Sequence, residues 1–216
     1  MQIDDILAAS PVIPVIVLER AEDARPLAEA LVRGGLRVLE VTLRTPAALE
    51  ALHAMRAVEG AIVGAGTVLD AALYDEAIAA GARFVVSPGL THALVTAAAT
   101  RMVPLLPGAA TASEIMRARE AGLTRLKFFP AESLGGVAAL KGYASVFPDV
   151  RFCPTGGIDA SSAPAYLALR NVACVGGSWP LPAEALAARD WARIEALARG
   201  AAALRVPGVT AAGGAP

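Results

Sequence analysis

Lys127 is one of only two lysines in the 216-residue chain, against seventeen arginines, and it lies in the apolar segment Arg125–Pro130. An ammonium group is costly to bury unless it is paired or loses its proton. Lysine can lose that proton in a protein whereas arginine cannot, and the neutral amine attacks carbonyl carbon. The sequence therefore predicts a nucleophilic amine at Lys127. The alternative is a lysine whose ammonium group reaches solvent at the end of a strand.

The segment around Lys127 has the alternation of a buried strand. Lys127 and Phe129 would share one face, and their neighbours Leu126 and Phe128 would share the other. The two phenylalanines and Pro130 are expected to exclude water from the amine, which favours its neutral form.

A second group of polar residues lies on a predicted strand nearer the N-terminus. Glu40, Thr42 and Arg44 alternate with apolar residues. In a parallel strand that is covered on both faces, such a trio costs free energy unless it is used. Glu40 could then transfer protons, and Arg44 could bind a carboxylate or a phosphate. A purely structural ion pair between Glu40 and Arg44 is the alternative.

Two glycine-rich turns follow the last two predicted strands, at Thr155–Gly157 and Gly176–Ser178. Backbone N–H groups at such turns can approach an anion closely. In a (β/α)₈ barrel, paired turns after the seventh and eighth strands form the usual phosphate site. The pair therefore predicts phosphate binding. Tight turns are the expected role of most residues in three further segments, namely Gly64–Thr67, Ser87–Gly89 and Pro107–Gly108.

These residues are spread over an alternation of apolar runs and Ala-, Glu- and Arg-rich helical patterns. The candidate strands are Val12–Leu18, Val38–Leu43, Ala61–Ala65, Phe84–Ser87, Val103–Leu106, Leu126–Phe129, Arg151–Pro154 and Ala173–Gly176. The helical patterns are Glu22–Arg33, Ala47–Val58, Ala71–Ala80, His92–Arg101, Ala112–Ala121, Val137–Val146, Ala163–Leu169 and Asp190–Leu204.

Eight strand–helix repeats predict an α/β fold, a (β/α)₈ TIM barrel, with functional residues at the carboxyl ends of its strands. An open, doubly wound sheet is the alternative, although it would more often carry a GxGxxG turn after its first strand. A short helix at Ile3–Ala9 could close the N-terminal mouth of the barrel. We expect one barrel domain over residues 1–205 and a disordered tail over residues 206–216, which are rich in Ala, Gly and Pro.

The composition excludes several classes of partner. A net charge of −1 with scattered basic residues offers no surface for nucleic acid. No apolar run reaches membrane-spanning length, and the first residues are acidic where a signal peptide would be basic. We therefore expect a cytoplasmic protein that binds neither nucleic acid nor a membrane.

Metal and thiol chemistry are also not expected. His53 and His92 are the only histidines, and no His, Asp and Glu cluster has the spacing of metal ligands. Cys153 and Cys174 lie in separate strand-like segments without a CxxC spacing, which favours buried thiols in a reducing compartment over a disulfide. The predicted site therefore requires no metal and no cofactor.

Seven segments occur in order at strand-sized spacing: PVIPVI from Pro11, LEVTLRT from Leu39, VGAGTV from Val63, SPGLT from Ser87, KFFPAE from Lys127, RFCPTGGI from Arg151 and VGGSW from Val175. Together they resemble the 2-keto-3-deoxy-6-phosphogluconate (KDPG) aldolase family, whose members often also cleave 4-hydroxy-2-oxoglutarate (KHG). The resemblance extends from about Pro11 to Leu204. It implies a homotrimeric, metal-independent class I aldolase on a (β/α)₈ barrel, with a phosphorylated keto-sugar acid as substrate.

The resemblance also implies roles for individual positions. Lys127 matches the lysine that forms the Schiff base, and Glu40 matches the general acid/base. The positions expected to bind the substrate are Arg44, Thr67, Pro88, Phe129 and Thr155, of which Arg44, Thr67 and Thr155 match residues at the pyruvyl end. Those expected to bind the phosphate are Gly156, Gly157, Gly177 and Ser178.

One departure from the family lies after the fifth predicted strand, where Ala109 and Ala110 occupy positions that members often fill with larger or hydroxylated residues. This difference bears on loop shape and substrate preference. Other functions also remain open: the same chemistry on the galactonate epimer or mainly on KHG, a phosphate-binding barrel isomerase or synthase without an imine, and a sugar-phosphate binding protein without catalysis.

Overall fold

The computed structural model describes residues 1–204, in which parallel strands form a closed barrel. The strands are β1 (Val12–Ile16), β2 (Val38–Thr42), β3 (Ile62–Gly66), β4 (Val85–Val86), β5 (Leu105–Leu106), β6 (Arg125–Phe128), β7 (Arg151–Pro154) and β8 (Val175–Gly177). Six of them pair in the order β5-β4-β3-β2-β1-β8, and β6 pairs with β7. Single parallel bridges, Gly108 with Lys127 and Thr155 with Gly176, join these two sheets. The predicted (β/α)₈ barrel is confirmed, and the open sheet is wrong.

The helices alternate with the strands as predicted. They are α1 (Ile3–Ala8), α2 (Ala24–Arg33), α3 (Ala48–Met55), α4 (Ala71–Ala80), α5 (His92–Arg101), α6 (Ala112–Glu120), α7 (Gly136–Val146), α8 (Ala163–Leu167), α9 (Ala183–Ala187) and α10 (Trp191–Ala202). The bounds of α4 and α5 agree with the prediction at both ends. Helix α9 was not predicted, because the five residues between Pro182 and the turn before α10 are too few for a helical repeat to be visible.

The core has two layers that meet at the strands. An outer cluster packs the helices onto the outward-facing strand residues, and it contains most of the buried Leu, Val and Ala side chains. An inner cluster fills the lumen near the N-terminal ends of the strands and includes Val38, Ile62 and Phe84. Ile6 and Leu7 of α1 belong to this inner cluster. Because Val38 and Ile62 begin their strands, α1 closes the N-terminal mouth of the barrel, as predicted.

The loop after β5 is held by contacts from outside the barrel. The Glu114 carboxylate accepts hydrogen bonds of 2.8 Å from the backbone N–H groups of Ala110 and Thr111. These bonds hold the pKa of Glu114 below its usual value. The Tyr143 hydroxyl donates to the Ala110 carbonyl at 3.0 Å. These contacts therefore support the loop even though Ala109 and Ala110 have small side chains.

Two further expectations concern membrane-spanning helices and the C-terminal tail. Within the described residues, no helix combines the length and the apolarity needed to cross a bilayer. The tail predicted for residues 206–216 lies outside the described part of the chain.

Candidate active site

Lys127 and Glu40 meet inside the barrel. Three strands lie between β2 and β6 in either direction around the barrel, so inward-facing side chains on these two strands point toward each other across the lumen. The Lys127 Nζ donates a hydrogen bond of 2.9 Å to the Glu40 Oε1. Their side chains are 6% and 4% exposed. The alternative of a lysine that reaches solvent is therefore wrong, and so is an ion pair between Glu40 and Arg44.

Arg44 lies at the rim and not on the strand. β2 ends at Thr42, and Arg44 is an exposed residue in the following turn. Its Nε donates to the Thr67 Oγ1 at 3.1 Å, and its terminal nitrogens have no partner among residues 1–204. Thr67 has a φ of 61°, which is uncommon for a β-branched residue. The two side chains together present a hydroxyl and a free guanidinium edge at the mouth of the lumen.

Gly66 makes the space that the Glu40 carboxylate occupies. A Cβ atom on Gly66 would lie 2.3 Å from the Glu40 Oε1 and 2.9 Å from its Cδ. Gly66 was expected to form part of a tight turn, but it is the last residue of β3 and lies beside Glu40 on β2. The available signal was the alternation of Gly64 and Gly66 on one face of a buried strand, which marks close approach by a neighbouring side chain.

Gly66→Ala should therefore lower kcat by about 10²-fold, because a displacement of about 1 Å at a reacting group can cost that much. The stability of the fold should fall much less, since the displaced group is a side-chain end. Steady-state kinetics and a urea unfolding curve measure the two effects.

Gly142→Ala is the matched control for this variant. Gly142 lies in α7, and a Cβ atom there would meet no atom within 4 Å. This substitution should leave turnover unchanged and stabilise the helix by about 0.5–1 kcal/mol. Equal kcat values for Gly66→Ala and Gly142→Ala would contradict the role assigned to Gly66.

Of the predicted substrate-binding residues, Phe129 lies beside Lys127 and Pro88 lies against the neighbouring Gly108. The Phe129 ring centroid lies 5.4 Å from the Lys127 Nζ. The Pro88 carbonyl oxygen lies against Gly108, which bridges to Lys127, and a Cβ on Gly108 would be only 2.0 Å from that oxygen. Phe128, in contrast, packs outside the barrel, and Pro130 is exposed. Of the apolar groups expected to exclude water from the amine, only the Phe129 ring contacts it.

Thr155 and the glycine turns lie on the neighbouring strand ends. Thr155 is 5% exposed, and a Cβ on Gly176 would lie 2.3 Å from its Oγ1. Gly156 and Gly157 adopt consecutive left-handed conformations with φ values of 103° and 80°. Their N–H groups have no hydrogen-bond partner among residues 1–204.

The turn after β8 adds a second set of backbone groups. The Ser178 N–H also lacks a partner within the described range. The Trp179 ring lies against Gly177, where a Cβ would be 1.9 Å from the ring. Because β7 and β8 are neighbours through the Thr155–Gly176 bridge, both turns open at the same part of the rim. They can bind one anion through several N–H groups.

The two cysteines lie in the inner cluster of the core. Cys153 and Cys174 are buried free thiols in the inner cluster, as predicted. A hydrogen bond with Cys153 and complete burial raise the pKa of Cys174 well above its usual value, so this thiol stays protonated. Across residues 1–204, no three His, Cys, Asp or Glu side chains lie together as a metal site would require.

Comparison with known proteins places these features in a family context. Residues 3–197 match the sequence profile of the KDPG and KHG aldolase family. The KHG/KDPG aldolase of Escherichia coli (strain K12) is 53% identical over 197 residues, which cover 91% of this chain and 92% of that protein.

Solved structures agree with this result. The KDPG aldolase of Zymomonas mobilis ZM4, crystallised with 3-phosphoglycerate, is 54% identical and superimposes with a TM-score of 0.93, covering 96% of this chain and 98% of that one. The KDPG aldolase of Legionella pneumophila is 48% identical with a TM-score of 0.91, covering 94% and 98%. The Legionella structure holds pyruvate captured at low pH as a covalent carbinolamine intermediate.

Proposed function

This chain belongs to the KDPG and KHG aldolase family, and on that premise we propose that it cleaves KDPG to pyruvate and D-glyceraldehyde 3-phosphate through a Schiff base on Lys127. It is a lyase, and KHG, cleaved to pyruvate and glyoxylate, is its second substrate. The observation that carries the assignment of residues is the buried contact of 2.9 Å between the Lys127 Nζ and the Glu40 Oε1.

The contact with Glu40 gives the amine a route to its reactive form. The Glu40 carboxylate accepts a proton from Lys127, and the neutral amine attacks the C2 carbonyl of the substrate. Glu40 then returns the proton to the carbinolamine hydroxyl, which leaves as water and yields an iminium. Direct transfer is possible because the two atoms are within hydrogen-bond distance.

The iminium acts as the electron sink for cleavage of the C3–C4 bond. Glu40 takes the proton of the C4 hydroxyl, directly or through a water molecule, and the bonding electrons move toward the iminium nitrogen. Glyceraldehyde 3-phosphate leaves, and an enamine of pyruvate remains on Lys127. Protonation of its terminal carbon and hydrolysis of the resulting iminium release pyruvate.

The rim residues orient the substrate along the lumen. Arg44 and Thr67 bind the carboxylate of the pyruvyl end together with Thr155, since the terminal nitrogens of Arg44 are free for a paired interaction. Pro88 and Phe129 line the space beside the amine. The N–H groups of Gly156, Gly157 and Ser178 bind the phosphate at the other end of the substrate. Gly177, whose N–H belongs to the ladder between β1 and β8, completes this phosphate site by letting the turn after β8 approach the ligand.

The state of the protein in the cell is also part of the proposal. We propose that it is a homotrimer, from the resemblance to its family, with residues 1–205 of each copy forming one catalytic domain. A cytoplasmic location is supported by the free thiols of Cys153 and Cys174, which persist in a reducing compartment.

A coupled assay for pyruvate release tests the proposed function. The purified protein should release one pyruvate for each KDPG consumed, with a higher kcat/KM than for the galactonate epimer or for KHG, because relatives that are 55% and 53% identical are named for KDPG alone. A higher value for either of the other compounds would transfer the assignment to that substrate. Absence of pyruvate from all three would favour an isomerase or a binding protein.

A further inference from the structure

The buried hydroxyl of Tyr166 contacts the carboxylate of Glu132, which is an exposed residue, directly behind the glycine turn of β7. The Tyr166 hydroxyl, on α8, donates a hydrogen bond of 2.5 Å to the Glu132 Oε1. Tyr166 is 1% exposed. Burial and the neighbouring Glu132 carboxylate raise the pKa of Tyr166, so the phenol keeps its proton and remains a donor. Neither residue touches the Lys127–Glu40 pair, so the reaction described above does not explain this contact.

Glu132 connects the pair to the glycine turn. It begins the helical turn Glu132–Leu134 that follows β6, and its backbone N–H donates to the Gly156 carbonyl at 3.1 Å. Its side chain contacts Gly157 so closely that a Cβ there would lie 2.7 Å from the Glu132 Cγ. The position of the Glu132 side chain is therefore coupled to the position of the Gly156-Gly157 backbone.

A second glycine makes space for the other end of the pair. A Cβ atom on Gly136, at the start of α7, would lie 2.7 Å from the Tyr166 Oη. Gly157 and Gly136 thus each remove a side chain that would displace one partner of the contact. Four segments meet here: the turns after β6 and β7, the start of α7, and α8. Such a junction fixes the turn after β6 and the turn after β7 relative to each other at the rim of the barrel.

The charge of Glu132 gives its orientation a consequence for anions. A carboxylate beside a phosphate turn repels the ligand unless a hydrogen bond holds it in another direction. In the structure, the Tyr166 hydroxyl donates to one carboxylate oxygen of the otherwise exposed Glu132 and so sets the direction of that side chain. Without that donor, the side chain would be free to rotate toward the turn that Gly156 and Gly157 form.

We propose that Tyr166 and Glu132 are positioning residues for the phosphate end of the substrate. They hold the Gly156-Gly157 turn in the conformation that keeps its N–H groups available, and Tyr166 directs the Glu132 carboxylate away from the bound phosphate. This inference rests on the proposed function, because it assigns the phosphate to the two glycine turns. It predicts an effect on phosphorylated ligands that is absent for pyruvate, which carries no phosphate.

Tyr166→Phe tests the inference by removing one oxygen atom. We expect the KM for KDPG and the inhibition constant for inorganic phosphate each to rise about tenfold, which corresponds to one hydrogen bond to a charged group. The rate and KM for exchange of pyruvate methyl protons should remain within about twofold of the wild-type values. Glu132→Ala also removes the contact that holds the turn, so it should raise the same two constants and spare pyruvate exchange, but by less than tenfold because the repelling carboxylate is removed as well. It serves as the second variant if Tyr166→Phe does not fold.

Tyr74→Phe is the matched control. Tyr74 is also fully buried, and its hydroxyl donates to the Val103 carbonyl at 2.6 Å, just before β5 at the opposite end of the barrel from the turns. It should leave all the constants unchanged. Equal losses for KDPG and pyruvate in Tyr166→Phe, or no loss for KDPG, would overturn the inference. A wild-type protein that is insensitive to inorganic phosphate would instead overturn the assignment of the glycine turns themselves.

Discussion

Lys127→Ala should lower kcat/KM for KDPG by about 10⁵- to 10⁶-fold, the loss that is typical when a covalent nucleophile is removed. The remaining groups can bind the substrate but cannot form the iminium that accepts the electrons of the C3–C4 bond. In wild-type protein, borohydride reduction in the presence of pyruvate should add one pyruvyl unit at Lys127, measured by peptide mass spectrometry. The variant should show no adduct.

Two controls separate the covalent role of Lys127 from its ion pair. Alanine leaves the Glu40 carboxylate buried without a partner, which itself can destabilise a fold by about 3–5 kcal/mol. Lys127→Arg retains a cation opposite Glu40 but cannot form an imine, so it should be equally inactive if it folds. Lys141→Arg replaces an exposed lysine and should keep full activity and trapping. An adduct on Lys141, or substantial activity in Lys127→Arg, would contradict the mechanism.

Glu40→Gln should lower kcat for KDPG cleavage by about 10²- to 10⁴-fold, because glutamine keeps the shape of the side chain but cannot accept a proton. Slow formation of the imine can survive, since the amine is still present. Exchange of the pyruvate methyl protons should decrease together with cleavage, because both steps use the same carboxylate. Proton exchange followed by NMR and single-turnover trapping distinguish these steps.

A surface carboxylate gives the control for the change in charge. Glu195→Gln also removes a paired carboxylate, one that contacts Arg33 and Arg199 on the outer helices, and it should leave turnover intact. Gly66→Ala should add little to the loss in Glu40→Gln, since both substitutions act through the same side chain. A wild-type rate in Glu40→Gln would make Glu40 a structural residue and assign proton transfer to another group.

The local pattern of apolar and polar residues was sufficient to predict the barrel architecture. Strands and helices repeat with different hydrophobic periods, and these periods depend only on neighbouring residues. The bounds of α4 and α5 were predicted at both ends. Gly81 follows α4 directly in a left-handed conformation, which is the usual position of glycine at a helix end. The short α9 was not predicted, because a five-residue helix has no repeat that a pattern can reveal.

The same local pattern identified the candidate residues but not all of their partners. Lys127 and Glu40 were each predicted to face the lumen, yet Arg44 was the neighbour considered for Glu40. Glu40 instead pairs with a residue 87 positions away, because barrel closure brings β2 opposite β6. Arg44 falls outside the strand alternation, since β2 ends two residues before it.

The sequence by itself therefore determined the barrel and singled out Lys127 and the two glycine turns as candidates for the amine and the anion site, because each depends on residue type and on spacing along the chain. Only the tertiary structure decided that Lys127 and Glu40 form a buried pair, that Gly66 makes space for the carboxylate, and that Tyr166 and Glu132 lie behind the glycine turn that follows β7. The physical reason is that alternation along a strand fixes which way a side chain faces, whereas its partner depends on strand order, register and the volume left by glycines on other strands.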